Sequence, residues 1–102
     1  MGKVEKFLEG IRRDRRKPVE MFRITLWEIF HAVEEEDWGR IEPAWFEWLR
    51  IYVADFNVSD QKKEDFIDYV NSLERFCRLR DKESAFWMIA RILFEAWFHV
   101  LQ

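Results

Sequence analysis

Only three glycines and two prolines occur among the 102 residues of this sequence. A fold of many β-strands needs a turn between successive strands, and turns depend heavily on these two residue types. Apolar side chains recur instead three and four residues apart along most of the chain, which is the spacing of one face of an α-helix. At this length, the pattern predicts a single all-α domain.

The first two predicted helices meet at Pro18. An amphipathic helix is predicted near residues 3–16, and its apolar stripe comprises Val4, Phe7, Leu8 and Ile11. Pro18 disfavours helical geometry at the residue before it and suits the first turn of a following helix. We predict that this second helix runs to about Asp37, with Gly39 as its C-terminal stop. Its apolar face comprises Phe22, Leu26, Ile29 and Val33.

Three further helices are predicted after Gly39. Pro43 opens the third by the same logic, and Asn57 is expected to end it. Ser59 or Asp60 can cap a fourth helix, and Asp81 can cap a fifth. A continuous helix over residues 60–101 is the alternative, but few helices in globular proteins reach that length.

The fifth predicted helix is apolar over a wide arc. At 100° per residue, the face that we assign to the core comprises Phe86, Ile89, Leu93, Trp97 and Val100. Trp87, Phe94 and Phe98 fall between that face and a narrow polar stripe, which comprises Ser84, Arg91, Glu95, His99 and Gln102. A helix packed on one layer cannot bury so wide an arc. Either this helix is central in the bundle, or its aromatic flank meets a partner.

A weak internal repeat groups the helices in pairs. Glu20 and Phe22 match Glu64 and Phe66 at an offset of 44, and the match continues along the apolar face to Val33 and Cys77. Phe46-Glu47 also matches Phe94-Glu95 at an offset of 48. The predicted architecture is a bundle of two packed α-hairpins, about 18–56 and 60–102, preceded by a basic amphipathic helix or arm over 1–17. Shared helical periodicity without duplication is the alternative.

Charge is distributed unevenly along the chain. Residues 1–17 carry seven basic and three acidic side chains, although the whole chain has a net charge of −3. A basic arm on an acidic body is typical of contact with nucleic acid, an acidic partner or a lipid surface, and equally of an arm folded onto its own acidic face. The candidate nucleic-acid-binding residues are Arg12, Arg13, Arg15, Arg16 and Lys17. No aromatic residue is interleaved with them, so nucleic-acid binding is the alternative function, not the leading one.

No motif in the sequence predicts catalysis or a cofactor. Glu28 and His31 have the Glu-x-x-His spacing of di-iron bundles, but no second copy of that motif accompanies them. Cys77 continues the apolar stripe of its helix and has no orienting partner, so we interpret it as a small core residue. A single cysteine also fits a reducing, intracellular compartment. We expect a non-enzymatic protein that binds no metal and does not span a membrane.

Aromatic residues make up 18% of the chain, including six tryptophans and ten phenylalanines. Exposed aromatic residues are enriched at protein interfaces and at their energetic hot spots. The leading hypothesis is therefore a protein-interaction module that binds a partner peptide or helix in an aromatic groove between the hairpins, or self-associates as a homodimer. The candidate partner-binding residues are Trp45, Trp48, Trp87, Phe94 and Phe98.

The paired motifs Glu20-x-Phe22 with Glu64-x-Phe66, and Phe46-Glu47 with Phe94-Glu95, accompany a chain that is short, helical and charged. Few asparagines and glutamines beside many ionisable residues are typical of thermophile proteins. In these respects the chain resembles the small helical proteins of viruses and plasmids from hyperthermophilic archaea. That resemblance implies an accessory protein of virus–host interaction or virion assembly, in the host cytoplasm, and assigns no functional residue.

Overall fold

The structure is a computed structural model that describes residues 17–100, with side chains from Pro18 onward. Helix α1 spans Lys17–Glu34 and is followed by a short 3-10 helix at Trp38–Arg40. Helices α2, α3 and α4 then span Pro43–Ala54, Asp60–Arg78 and Lys82–His99. No strand occurs within residues 17–100, so the predicted all-α class is confirmed there. The helix predicted near residues 3–16 lies outside the described part of the chain.

The helix starts follow the capping residues in the sequence. Pro43 occupies the first turn of α2, as predicted. The Ser59 side chain accepts a hydrogen bond from the backbone N–H of Lys62 at 3.2 Å, and Asp81 accepts one from the N–H of Ser84 at 3.2 Å. Each bond satisfies a backbone donor that the first turn leaves without an intrahelical partner. The prediction of separate helices α3 and α4 is therefore confirmed, and the alternative of one continuous helix is wrong.

Helices α1 and α3 end on non-glycine residues, although Gly39 was the predicted stop of α1. Glu36 and Arg80 have left-handed backbones, with φ of 55° and 54°. After α1, the N–H of Asp37 donates to the carbonyl of Ala32 at 2.8 Å, and after α3 the N–H of Asp81 donates to that of Phe76 at 3.0 Å. These bonds form the Schellman ending, which satisfies the free carbonyls of the last turn. Gly39 is therefore not the stop of α1, and α2 ends at Ala54, before Asn57.

The four helices pack in a ring. Helix α1 packs against α2, α2 against α3, α3 against α4, and α4 again against α1. The last contact is antiparallel, because the Lys82 ammonium at the start of α4 donates to the Glu34 carbonyl at the end of α1 at 3.0 Å. One turn further along, the rings of Phe30 and Phe86 lie 5.4 Å apart. Since α2 and α4 are diagonal in this ring, they present their outer faces to different sides of the bundle.

The core centres on three phenylalanines that meet edge to face. The ring of Phe22 from α1 lies 5.1 Å from that of Phe56, and Phe56 lies 5.6 Å from Phe66 of α3. Edge-to-face pairs add to the free energy gained from burial alone. All four apolar residues of the α1 repeat face are buried, as are their counterparts 44 residues later, which are Phe66, Val70, Leu73 and Cys77. The second match fails, because Phe46 is buried and Phe94 is exposed.

The core face of α4 differs from the predicted one. The buried residues of α4 are Ala85, Ile89, Ile92 and Ala96, so only Ile89 of the predicted set is fully enclosed. Leu93 and Trp97 are exposed instead. The helix is rotated so that two alanines face the bulky side chains supplied by the other helices, and close-packed interiors pair large with small residues in this way. Ser84, Arg91 and Glu95 of the polar stripe consequently lie on the side of α3.

Two glutamates tie neighbouring helices together. Glu95 on α4 accepts a hydrogen bond from the Lys62 ammonium on α3 at 3.2 Å, and it also pairs with His99 and Arg91. Glu74 on α3 pairs with Arg50 on α2 in the same manner. Both carboxylates are largely shielded from solvent. Ion pairs at such positions fix how two helices align along their length, even where their net contribution to stability is small.

Candidate functional site

Three aromatic side chains project from the outer face of α4 on the side of α3. Trp87 is 72% exposed, Phe94 60% and Phe98 52%, and the rings of the two phenylalanines lie 4.8 Å apart. The spacing of seven and then four residues places all three on one line along the helix. We call Trp87, Phe94 and Phe98 the aromatic strip. The sequence placed these three residues between the predicted core face and the polar stripe and left open whether the bundle or a partner covers them; within the described chain they are exposed.

An open cavity of about 590 Å³ lies beside the aromatic strip. Phe76 of α3 lies on one side of it, and Trp87, Met88 and Phe94 of α4 line the other. Arg91 also borders this cavity, with its guanidinium 5.5 Å from the ring of Tyr69. The volume is sufficient for one or two bulky side chains of another molecule, and the lining is mostly apolar.

A second exposed apolar surface lies where α4 meets α1. Trp97 of α4 is 62% exposed, Trp27 of α1 is 53% exposed, and Leu93 of α4 is exposed as well. The Trp27 ring stacks on Phe30 at 5.3 Å, and Phe30 in turn contacts Phe86 of α4, so an unbroken row of rings crosses from one helix to the other. Leu93 and Trp97 share the helix face of Phe86 by their spacing, and we call them, together with Trp27 on α1, the seam surface. Sequence reasoning missed it, because Leu93 and Trp97 were assigned to the core.

The aromatic residues of α2 do not join either surface. Trp45 is half-buried against the core, and Trp48 is 40% exposed on the side of α2 that faces away from α3. Helix α2 packs against α1 and α3, so it lies diagonally opposite α4. The predicted groove bordered by Trp45 and Trp48 on one side and by the aromatic strip on the other is therefore wrong.

The residues considered for chemistry each have structural contacts of another kind. The Glu28 carboxylate accepts a hydrogen bond from Arg40 at 3.0 Å, while the ring of His31 contacts Trp27 at 4.7 Å. Cys77 is buried, and that burial, assisted by the nearby Glu74 carboxylate, raises the pKa of its thiol to about 12. Such a thiol stays protonated and is a poor nucleophile. Within the part of the chain that the structure describes, no three His, Cys, Asp or Glu side chains could hold a metal ion together.

The buried polar pair of the bundle is satisfied internally. Burial raises the pKa of Tyr52, and a hydrogen bond between its hydroxyl and the Thr25 side chain acts in the opposite direction. Thr25 is itself buried, so the pair joins α1 to α2 inside the core. Both hydroxyls belong to the packing of the helices.

The structure describes no side-chain contact of the predicted basic cluster, which comprises Arg12, Arg13, Arg15, Arg16 and Lys17. Residues 12–16 lie outside the described residues, as does the side chain of Lys17. A run of four acidic residues, 34–37, is exposed at the end of α1. Its Glu35 carboxylate lies 3.5 Å from Arg40, so the run is partly neutralised by the 3-10 helix that follows it.

Helices α1 to α4 all fall short of the combined length and hydropathy that crossing a lipid bilayer requires. Comparisons of the chain with known protein families, with curated proteins and with solved structures found no match. The functional interpretation therefore depends on the physical properties of the two exposed apolar surfaces.

Proposed function

We propose that this protein is a non-enzymatic interaction module that binds apolar side chains of a partner protein or peptide on the aromatic strip. The observation that carries the proposal is the exposure of Trp87, Phe94 and Phe98 in one line beside a cavity. Solvating three large rings on one helix face costs free energy that a partner recovers by covering them. Tryptophan is also among the residues most enriched at binding hot spots.

The dimensions of the strip support a small, hot-spot type of interface. With about 200–250 Å² for each fully exposed ring, the exposed fractions correspond to roughly 400 Å² of aromatic surface. A stable interface buries about 800 Å² on each partner, and its well-packed centre supplies most of the binding energy. The strip has the size of such a centre, and the cavity over Phe76 can receive one anchoring side chain of the partner.

A double substitution tests this proposal. The Trp87→Ala, Phe94→Ala variant is expected to keep its helical content by circular dichroism and to lose at least tenfold in affinity, about 1.4 kcal/mol or more, for peptides selected on the wild-type protein from a random library. Light scattering across concentrations, on the same two proteins, measures self-association. Trp48→Ala, which removes an exposed ring from α2, is the matched control and should change neither result.

Two results would contradict the proposal. The first is unchanged peptide affinity and unchanged association in the double variant. The second is loss of helical content, which would mean that Trp87 and Phe94 support the fold and do not serve as a binding surface.

The proposal also includes an interpretation of the architecture and one of the biological role. We infer that the bundle consists of two similar hairpins, and the identical endings of α1 and α3, 44 residues apart, support that inference. An intracellular viral accessory role agrees with a small interaction module and follows from the sequence resemblance alone. Nucleic-acid binding through Arg12, Arg13, Arg15, Arg16 and Lys17 stays a prediction. A salt titration with duplex and single-stranded DNA tests it, because phosphate contacts weaken steeply as salt rises.

A further inference from the structure

We infer that the partner of the aromatic strip is a second copy of this chain, whose α4 packs antiparallel against the first α4 about a two-fold axis level with Ile92. The inference rests on the proposed function, because it names the occupant of the same surface. It adds Ala90 and Trp97 to the residues that the partner covers, and it fixes how the residues of the two copies pair.

The outward face of α4 is apolar from Trp87 to Phe98. At 100° per residue, Ala90 falls between the aromatic strip and Trp97, and it is exposed as they are. Trp87, Ala90, Phe94 and Trp97 are separated in turn by three, four and three residues. This is the spacing along the line of contact between two packed helices. The face therefore has the form of a helix-packing surface that no helix of the bundle covers.

The positions of these four residues match a two-fold axis. Trp87 and Trp97 each lie five residues from Ile92, and Ala90 and Phe94 each lie two residues from it. When two copies of α4 run antiparallel with this point level, Trp87 of each copy lies opposite Trp97 of the other, and Ala90 lies opposite Phe94. Each Phe94 ring then fills the space that a small Ala90 leaves, so large side chains meet small ones on both sides of the axis.

A parallel pair of helices fits this face less well. It would place Ala90 opposite Ala90, between a layer of two tryptophans and a layer of two phenylalanines. Such a layer leaves a void, whereas interface cores are packed as densely as protein interiors. A parallel pair would also bring the like ends of two helix dipoles together. Both arguments favour the antiparallel arrangement.

The size of the face agrees with a stable dimer. Its four exposed aromatic rings, at about 200–250 Å² for each fully exposed ring, correspond to roughly 550 Å² of surface. The exposed side chains of Ala90 and Leu93 add to this area. The face thus approaches the 800 Å² or so that a stable interface buries on each partner.

A charge near the axis is directed away from it. Arg91 lies one residue from Ile92, but its guanidinium contacts the ring of Tyr69 on α3 at 5.5 Å, and its Nε lies 3.5 Å from the Glu95 carboxylate. Each Arg91 is therefore turned towards α3 of its own copy and is partly neutralised. Leu93, on the opposite flank of the face, brings an apolar side chain close to the axis in each copy.

Sedimentation equilibrium of the full chain, from about 1 µM to 1 mM, tests the association. Interfaces of this size have dissociation constants in the micromolar range or tighter, so a dimer should form within that range. The Ala90→Lys variant places a lysine opposite Phe94 of the other copy and near both copies of Arg91. Because like charges enclosed in an interface repel strongly, the dissociation constant should rise at least about a hundredfold.

Ala54→Lys is the matched control, because Ala54 is an exposed alanine on α2, diagonal to α4. It should keep the dissociation constant within about twofold, and both variants should retain their helical content, since neither alanine is buried. A wild-type chain that stays monomeric at 1 mM overturns the inference, as do equal dissociation constants of the two variants. If that monomer still binds the selected peptides through Trp87 and Phe94, the inference fails and the proposed function stands.

A nitroxide label on a Glu83→Cys, Cys77→Ala variant tests the direction of the helices. Glu83 is exposed and lies nine residues from Ile92, so antiparallel copies hold their labels eighteen residues, or about 27 Å, apart along the helices. A parallel pair would hold them about 10 Å apart, the distance between two packed helix axes. Double electron–electron resonance on the dimer should give a distance near 30 Å. A distance below about 20 Å overturns the antiparallel pairing and with it the inference.

Discussion

The burial pattern makes a quantitative prediction for two phenylalanines that undergo the same substitution. Phe66 is fully buried, and its ring contacts those of Phe22 at 6.3 Å and Phe56 at 5.6 Å. Replacing it with alanine removes the transfer free energy of the ring and leaves a cavity where three chain segments meet. Such substitutions cost about 3–5 kcal/mol of unfolding free energy.

Phe94→Ala is the comparison, because the same atoms are removed from a side chain that is 60% exposed. Its contact with Phe98 is an exposed one, so the expected loss is about 1 kcal/mol or less. The two variants should therefore differ by at least about 2 kcal/mol, although their chemistry is identical.

Equilibrium urea denaturation followed by circular dichroism measures both values. A domain of this size has a total stability of about 5–15 kcal/mol, so the Phe66→Ala variant should stay folded in water while its midpoint falls sharply. The measurement should be made at a concentration where light scattering shows a monomer. Equal losses in the two variants would refute the reasoning, because they would mean that Phe94 is enclosed as fully as Phe66.

Three further predictions concern local features. Ser59→Ala should cost about 1 kcal/mol of unfolding free energy by removing the N-cap bond of α3, whereas Glu42→Ala at the N-cap of α2, which makes no side-chain bond, should cost little in the same denaturation assay. Arg80→Gly should stabilise the protein by about 0.5–1 kcal/mol, because it relieves a left-handed backbone, while Arg78→Gly inside α3 should destabilise it by about 1 kcal/mol. A stabilised Arg78→Gly variant would contradict that argument. The raised pKa of Cys77 means that the thiol ionises first in the unfolded chain, so stability is complete below about pH 9 and falls as the pH rises from about 9 towards 12. At pH 10 the loss from this group should be on the order of 1 kcal/mol, and a Cys77→Ala variant should show a flatter pH dependence between pH 8 and 10.5.

Local signals in the sequence were sufficient to place most of the helices. Pro43, Ser59 and Asp81 each act within one helical turn, so their effect does not depend on the rest of the fold. The helix ends at Glu36 and Arg80 were not predictable in the same way, because neither glutamate nor arginine favours the left-handed backbone found there. Part of the candidate site could also be singled out from the sequence, since Trp87, Phe94 and Phe98 fall between the predicted core face and the polar stripe of their helix; only the structure showed that they are exposed.

The sequence alone determined that the chain is helical, where most of the described helices begin, and that it is rich in large aromatic side chains. Only the tertiary structure decided how α4 is rotated, which places Ala85 and Ala96 inside and Leu93 and Trp97 outside. It also decided that α2 and α4 are diagonal, which separates Trp48 from the aromatic strip. The physical reason is that periodicity fixes which residues share a face of one helix, whereas the choice of the buried face depends on the shapes of the side chains that the other helices bring to the core.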